Sequence, residues 1–288
     1  MMSRLRFELD LSWQFTRRDI RTNIIPPLIF TLAALRAVWP VSPTEIIQAL
    51  LRTLVYFWFY SYIFCLPSQI TGVEEDRINK PERPLPAGLV SVRGAFRRWL
   101  VAMAIYSGLG LCFGVLKWTL LWQAVTVCYA FGGLDRHWST KNLIAMTLGT
   151  IAQLAATWEM VTPLTPRSLG AVLTIAVLAG ITALVQDFRD VVGDRATGRK
   201  TLPITIGELP ARAVVIGIFL LTPLAVYQGL LAGQLSLANT LCLLGLTAIA
   251  VVVAVRVALL RGPAADHRTY IIYSYWYCAI LASMVVVA

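Results

Sequence analysis

The chain alternates long apolar stretches with shorter polar connections. The apolar stretches run for about 17 to 25 residues, the length that an α-helix needs to cross a hydrocarbon core of roughly 30 Å. The pattern therefore predicts an all-α integral membrane protein with nine spans. The predicted spans are residues 23–39, 45–66, 97–115, 118–134, 142–160, 169–187, 211–229, 235–260 and 269–288.

The distribution of basic residues supports this number of spans and predicts their orientation. Connections on the side of the N-terminus carry 20 Lys and Arg, whereas connections on the opposite side carry two. The basic side comprises residues 1–22, 67–98, 135–141, 188–212 and 261–268. Because positive charge collects on the cytoplasmic side, we expect a cytoplasmic N-terminus and a C-terminus on the other side.

Composition narrows the class of protein further. With 58% hydrophobic residues and a mean hydropathy of +0.70, the chain is too apolar for a soluble domain. The net charge of +10 therefore points to anionic lipid or an anionic substrate, and we expect no nucleic acid partner. The five cysteines form no metal-binding or disulfide pattern. Residues 1–22 are basic and amphipathic, which predicts an interfacial segment ahead of a single transmembrane domain at 23–288.

The first of two long polar connections, residues 66–88, reads LPSQITGVEEDRINKPERPLPAG. If the preceding helix continues, Ser68, Gly72 and Asp76 follow one another by single turns, with Gln69 beside them. This stripe offers oxygen ligands to a cation. Basic residues follow at once, at Arg77, Lys80 and Arg83. Acids beside bases suit a phosphate that is bridged by a metal ion.

The second long connection, residues 186–207, reads QDFRDVVGDRATGRKTLPITIG. Asp187, Asp190 and Asp194 follow the i, i+3, i+7 spacing, which places three carboxylates on one helix face. Hard oxygen ligands without His or Cys favour Mg²⁺ over a transition metal. Basic residues again follow the acids, at Arg195, Arg199 and Lys200. Most charged loops are simply solvated, but here the same order of acids and bases occurs twice on one side of the membrane.

The pairing of EEDRINKPERPLPAG with DFRDVVGDRATGRKTLP resembles the UbiA superfamily of intramembrane prenyltransferases over the whole chain. The resemblance implies nine transmembrane helices around a central cavity, cytoplasmic cap loops, and an isoprenoid diphosphate held with Mg²⁺ at the cytoplasmic mouth. It assigns catalytic and metal-binding roles to Asp76, Asp187, Asp190 and Asp194, with Glu75 as a further metal ligand. It adds Lys141 and Arg21 to the diphosphate contacts, which together are expected to be Arg21, Gln69, Arg77, Lys80, Lys141, Arg195 and Lys200.

The first motif departs from the usual family form, NDxxDxxxD. Ser68 stands for the Asn, Gln69 for the first Asp and Gly72 for the middle Asp, so that only Asp76 remains. We expect Glu75 to replace part of the lost charge. This altered motif before NKPxRPxPxG is similar to fungal UbiA-type proteins that include membrane-bound terpene cyclases. The resemblance thus implies that farnesyl diphosphate is ionised and cyclised to a sesquiterpene, with release of diphosphate.

Two other functions remain open at this point. A prenyltransferase would pass the prenyl group to an aromatic or other small acceptor, and a lipid-binding or transport protein would have no activity. Aromatic side chains are expected to line an apolar cavity, and the candidates are Tyr62, Trp158 and Tyr273. The fungal resemblance implies the endoplasmic reticulum as location. The sequence points to an isoprenoid diphosphate and the bilayer as partners and indicates no protein partner.

Overall fold

A computed structural model of the chain describes residues 2–231 and 236–287. Fourteen α-helices lie within these ranges, and their bounds are α1 (Met2–Thr16), α2 (Ile20–Asn23), α3 (Ile25–Ala37), α4 (Pro43–Thr71), α5 (Val73–Asn79), α6 (Val92–Cys112), α7 (Leu116–Ala130), α8 (Thr147–Glu159), α9 (Pro166–Thr182), α10 (Asp187–Ala196), α11 (Leu202–Ile206), α12 (Glu208–Gly229), α13 (Leu237–Leu259) and α14 (Pro263–Val287). A π-helical segment, Ser139–Met146, leads into α8, and a 3₁₀ turn, Ala183–Gln186, joins α9 to α10. The described residues contain no β-strand, so the all-helical prediction is confirmed.

Polar residues at the helix starts explain where the helices begin. The Ser42 side chain accepts a hydrogen bond from the Glu45 backbone, while Glu45 accepts one from the Ser42 backbone, and Pro43 occupies the first helical position of α4. The start of α9 repeats this arrangement with Thr165 and Ser168. Each capping box satisfies N–H groups that the first turn leaves without helical partners.

The long helices pack in a ring. From α3 to α4, α6, α7, α8, α9, α12, α13 and α14, each helix contacts the next in this order, and α14 contacts α3 again. Two hydrophobic clusters hold the ring together, one around α4, α6 and α7 and the other around α9 and α12–α14. Residues of α8 contribute to both clusters. The ring surrounds a cavity that opens beside α5 and α10.

Small residues let neighbouring helices approach closely. A Cβ on Gly110 of α6 would lie 2.1 Å from the Thr119 hydroxyl oxygen of α7. A Cβ on Gly180 of α9 would lie 2.1 Å from the hydroxyl oxygen of Thr147 on α8. Packing through small residues is typical of helices in membranes, where lipid removes the hydrophobic drive for association.

Within the described residues, five helices are long and apolar enough to cross a membrane by length and composition. Their bounds are Pro43–Thr71, Pro166–Ala196, Glu208–Gly229, Leu237–Leu259 and Pro263–Val286. A helix overlaps each of the other four predicted spans as well, in α3, α6, α7 and the π-helical segment with α8. Nine crossings therefore stay a prediction. Residues 235 and 288 at the ends of two predicted spans, and residues 232–234 of one connection, lie outside the described residues.

The predicted interfacial segment forms α1 and begins α2. Leu11 and Phe15 of α1 are buried, and the indole N–H of Trp58 on α4 donates a hydrogen bond to the Ser12 hydroxyl over 3.1 Å. Glu8 accepts two hydrogen bonds from Arg98 of α6, at 2.6 and 2.7 Å. The segment is thus attached to α4 and α6, while its predicted position at the membrane surface stays a prediction.

Candidate active site

A cavity lies inside the ring of helices. Charged side chains of α5, α10 and the segments beside them line its mouth. Aromatic side chains of α4, α7 and α14 line its interior. The cavity therefore places an ionic region next to an apolar one, an arrangement that fits an amphipathic ligand with an anionic head.

The predicted oxygen stripe of the first motif forms part of the wall. Ser68, Gln69, Gly72, Glu75 and Asp76 all line the cavity, although α4 ends at Thr71 and α5 starts after Gly72. The stripe keeps its alignment across this junction because Gly72 N–H bonds to the Ser68 carbonyl and Asp76 N–H to the Gly72 carbonyl. The first motif thus presents its polar side chains to the cavity as the spacing predicts.

Arg83 holds the one aspartate of the first motif. Its Nη1 donates hydrogen bonds to both carboxylate oxygens of Asp76, at 2.9 and 2.8 Å. Burial raises the pKa of Asp76 above its ordinary value, while the charges of Arg83 and Lys80 act in the opposite direction. The Nε atom of Arg83 is buried without a hydrogen-bond partner. Arg83 therefore keeps one N–H donor free within a residue that lines the cavity.

Arg199 joins the two motifs. Its guanidinium forms ion pairs with Glu75 of the first motif and with Asp194 of the second, the latter at 3.5 Å. A third pair runs to Asp135 over 2.8 Å. The sequence marked Arg199 only as one member of a basic cluster. In the fold it is a cation that acids of both motifs share.

Lys80 lies between the same motifs. Its Nζ is 3.8 Å from Glu75, 3.9 Å from Asp76 and 3.6 Å from Asp190. Burial lowers the pKa of Lys80 from its ordinary value, and the charge of Asp190 opposes that shift. Lys80 is thus a second cation that acids of both motifs share, and it lines the cavity.

The three aspartates of the second motif do not share one role. Asp190 and Asp194 line the cavity, and Asp190 accepts a hydrogen bond from Arg189 Nε at 3.1 Å. Asp187 is fully buried and is absent from the described cavity wall. It accepts a hydrogen bond over 2.7 Å from Nζ of Lys141, which does line the cavity.

Lys141 sits in the π-helical segment ahead of α8. π-Helical segments are rare in proteins, and those that occur are often found at functional sites. Asn142, the next residue in this segment, donates to the other carboxylate oxygen of Asp187 at 3.4 Å. The segment therefore fastens itself to α10 through Asp187 and presents Lys141 to the cavity.

The oxygen donors of the wall fit Mg²⁺. Within the described residues, no group of three His, Cys, Asp or Glu side chains is gathered closely enough to hold a metal ion alone. Mg²⁺ commonly takes only one or two protein carboxylates, with substrate phosphates and water as its other ligands. Two cavity residues carry buried oxygens without hydrogen-bond partners, Asp194 through Oδ2 and Gln69 through Oε1. These free acceptors suit a cation that a diphosphate brings with it.

The aromatic interior has two walls. On one wall, Tyr60 and Phe64 of α4 lie against Trp122 of α7, with ring centroids 4.2 and 5.3 Å from the indole. On the other wall, Tyr270, Tyr273 and Tyr277 line the cavity from α14. Aromatic faces stabilise a nearby cation through their negative quadrupole. The interior therefore suits a carbocation as well as an apolar chain.

The structure brings some of the predicted residues to this cavity and not others. Those that line it are Gln69, Glu75, Asp76, Lys80, Lys141, Asp190, Asp194 and Tyr273. Arg77 is exposed and pairs with Glu74, while Arg21, Arg195 and Lys200 are exposed and absent from the described wall. Tyr62 packs against Phe15, and Trp158 lines a separate cavity near Thr162. The functional roles of these residues stay predictions.

Several wall residues had no role in the sequence prediction. Arg83 and Arg199 stood in the two basic clusters, but nothing in the local pattern separated them from Arg77 and Arg195. Asp19 and Arg189 also line the cavity mouth. Tyr60, Phe64 and Trp122 belong to ordinary apolar stretches, where many aromatic residues face lipid. The only local signal was the i, i+4 spacing of Tyr60 and Phe64, which places both on one helix face.

Comparisons with known proteins show the same family throughout. A model described as the UbiA prenyltransferase family matches residues 25–279. A diterpene cyclase of Hericium erinaceus is 40% identical over 276 residues, covering 96% of this chain and 87% of the relative. A somaliensene A/B synthase of Streptomyces somaliensis is 40% identical over 281 residues, covering 96% and 92%.

One further relative has a different activity, and a solved structure is similar in fold. A polyprenyl transferase of Hericium erinaceus is 34% identical over 282 residues, covering 98% of this chain and 96% of the relative. The structure of a UbiA homologue from Archaeoglobus fulgidus bound to DMAPP and Mg²⁺ superposes with a TM-score of 0.63, covering 96% of this chain and 99% of the homologue. At 14% identity, that likeness shows the fold alone.

Proposed function

Because the chain belongs to the UbiA prenyltransferase family, we propose that it is a Mg²⁺-dependent membrane enzyme that ionises an isoprenoid diphosphate and cyclises the prenyl chain. The observation that carries this proposal is a cavity whose described wall combines a charged mouth with an aromatic interior. A diphosphate head fits the mouth and a prenyl chain fits the interior. The two relatives at 40% identity, a diterpene cyclase and a somaliensene synthase, support cyclisation.

In the proposed reaction, the basic side chains of the mouth bind the diphosphate. Lys80, Arg83 and Lys141 line the cavity there. Their positive charge stabilises the negative charge that develops as the allylic C–O bond breaks. The Arg83 Nε–H group is free to donate a hydrogen bond to the diphosphate, since it has no partner within the protein.

Two acids of the second motif are the proposed metal ligands. Asp190 and Asp194 are best placed, because both line the cavity and one oxygen of Asp194 is free. Asp187 instead orients Lys141, and Glu75 and Asp76 orient Arg199 and Arg83. When bound, Mg²⁺ would supply Lewis acidity and neutralise charge on the leaving diphosphate.

The interior of the cavity controls the carbocation after ionisation. Tyr60, Trp122 and Tyr273 offer ring faces along which positive charge is stabilised. Enclosure by the helix ring excludes water, which would otherwise quench the cation. The distal double bond of the same chain then attacks the cation, and the released diphosphate takes a proton from the cyclised cation to give a cyclic alkene.

The proposed substrate is farnesyl diphosphate, and the proposed product is a sesquiterpene. Geranylgeranyl diphosphate is the alternative, because the Hericium relative is a diterpene cyclase. A second candidate function is prenyl transfer to an aromatic or other small acceptor. The polyprenyl transferase that is 34% identical over nearly the whole chain favours this second candidate.

One experiment distinguishes the candidates. Membranes holding the protein are incubated with farnesyl or geranylgeranyl diphosphate and Mg²⁺ alone, and the extract is examined by gas chromatography. A cyclic product supports the cyclase, whereas product only after addition of an aromatic acceptor supports the transferase. The Asp190→Asn variant should form no product. Glu159→Gln serves as the acid control, because Glu159 pairs with Lys117 and is absent from the described cavity wall. Absence of turnover with every diphosphate contradicts both enzymatic candidates.

For the membrane, we propose nine crossings with a cytoplasmic N-terminus and with the charged mouth on the cytoplasmic side. The excess of basic residues on the side of the N-terminus supports this orientation. The proposed location is the endoplasmic reticulum. Labelling of single cysteines, introduced at Arg77 and at Thr162 in a cysteine-free chain, tests the orientation: an impermeant reagent should reach only position 77 from the cytoplasmic side.

A further inference from the structure

Three residues of the aromatic interior, on α4, α7 and α8, hold one another in place. The Trp122 indole N–H donates to the Tyr60 carbonyl over 2.9 Å, and the two rings stack with a 6° interplanar angle. The Tyr60 hydroxyl in turn donates to the Gly149 carbonyl over 2.9 Å. All three residues line the cavity. We call them the cavity floor.

The cavity floor lies far from the charged mouth. Tyr60 precedes Gly72 by twelve residues on the same helix and its cap, which corresponds to about 18 Å of helix. On α7, Trp122 lies seven residues before Tyr129, or about 10 Å along the axis. A diphosphate held at the mouth would therefore direct the distal end of its prenyl chain towards this floor.

The Trp122 ring lies directly against Gly149, so this position has no room for a side chain unless the ring moves. A Cβ at Gly149 would be 2.4 Å from Trp122 Cζ3 and 3.2 Å from Cε3. The distance of 2.4 Å is too short for a real contact, so an alanine must displace the indole. Tyr60 and Phe64 of α4 both pack against the indole, and all of these residues line the cavity, so a displaced ring changes the shape of the cavity wall.

We propose that Trp122, seated on Gly149, sets the longest isoprenoid chain that the cavity accepts. This inference rests on the proposed function and deepens it, since it identifies what selects the chain length of the substrate. A smaller side chain at position 122 lengthens the space beyond the mouth. An alanine at position 149 shortens it, because the indole moves into the cavity.

The test measures chain-length preference by binding as well as by turnover. Purified protein in detergent is titrated with thiolo analogues of geranyl, farnesyl and geranylgeranyl diphosphate, and diphosphate release is measured with the true substrates. Trp122→Leu should shift the ratio of affinities towards the next longer chain by roughly tenfold or more, the effect of misfitted methylene groups in an apolar pocket. Gly149→Ala should shift it towards the shorter chain by a similar factor.

Matched controls separate this effect from general damage. Trp99 is likewise buried, and its indole donates to the Ile63 carbonyl of α4 over 3.0 Å, but it does not line the cavity. Trp99→Leu should therefore leave the chain-length ratio unchanged. In the Trp122→Leu background, Gly149→Ala should lose its effect, because the ring that it displaces is gone.

Two results overturn the inference. One is an unchanged ratio in both Trp122→Leu and Gly149→Ala, and the other is an equal shift in Trp99→Leu. Failure of the proposed function has a different signature, since the wild-type protein would then bind none of the diphosphates. Binding without turnover would still report chain-length preference, so the two failures are distinguishable.

Discussion

Lys141 Nζ donates a hydrogen bond to Asp187 Oδ1 over 2.7 Å, and both side chains are buried. Asp187 is the first acid of the second motif, yet it lies behind Lys141 as seen from the cavity, because only Lys141 belongs to the cavity wall. The pair thus divides the motif into an acid that is bonded to a base and two acids that line the cavity. This division makes the first prediction possible.

Asp187→Asn should impair the enzyme without changing its requirement for metal. The variant leaves the ammonium of Lys141 buried without its charge partner, which typically costs about 3–5 kcal/mol of stability. We expect a lower Tm in detergent and a lower kcat/KM, with an unchanged Mg²⁺ concentration at half-maximal rate. A metal requirement that rises as it does for Asp194→Asn would instead make Asp187 a metal ligand.

Asp194→Asn should raise the Mg²⁺ concentration for half-maximal rate by at least roughly tenfold, since loss of groups around a metal ion costs that much affinity. The reason is that Asp194 Oδ2 is buried and has no hydrogen-bond partner in the protein. Initial rates over a series of Mg²⁺ concentrations after chelation provide the measurement. Glu159→Gln should keep the wild-type curve, because Glu159 pairs with Lys117 away from the cavity.

Arg83→Lys should raise KM for the diphosphate by roughly tenfold or more, the effect of one lost hydrogen bond to a charged group. Lysine keeps the charge that balances Asp76 but lacks an Nε donor, and that atom of Arg83 has no partner in the protein. Steady-state kinetics of diphosphate release provide the measurement. Arg77→Lys is the control from the same motif, and it should leave KM unchanged because Arg77 is exposed and pairs with Glu74. Equal effects of both variants would refute the assignment.

Asp266→Asn should destabilise the protein without altering the site. Arg212 donates to both oxygens of Asp266, at 3.1 and 2.9 Å, and both residues are buried away from the cavity. Breaking such a pair costs about 3–5 kcal/mol. Thermal unfolding in detergent measures this loss, while kcat per folded molecule should stay at the wild-type value.

A second ion pair of Arg212 provides the control for the Asp266→Asn prediction. Glu208 accepts a hydrogen bond from Arg212 over 2.9 Å, but its side chain is half exposed. Glu208→Gln should therefore lower stability by only about 0–1 kcal/mol. A loss equal to that of Asp266→Asn would mean that burial does not determine the strength of these two pairs.

Local patterns predicted where the polar groups of the site lie. The spacing of Ser68, Gln69, Gly72 and Asp76 placed them on one face, and all four line the cavity. The spacing could not separate Arg83 from Arg77, because both follow Asp76 closely. The difference arises from the fold, in which Arg83 turns back to Asp76 while Arg77 pairs with Glu74 at the surface.

The sequence by itself determined the membrane class, the all-helical architecture and the two acidic motifs, because hydrophobic length, helical period and charge are properties of neighbouring residues. The tertiary structure alone decided which acid faces a base and which faces the cavity, and it brought Trp122 against Gly149 and Tyr60 from two other helices. Such relationships depend on helix packing between residues far apart in the chain. Periodicity identifies the face of a helix, and only packing identifies what that face meets.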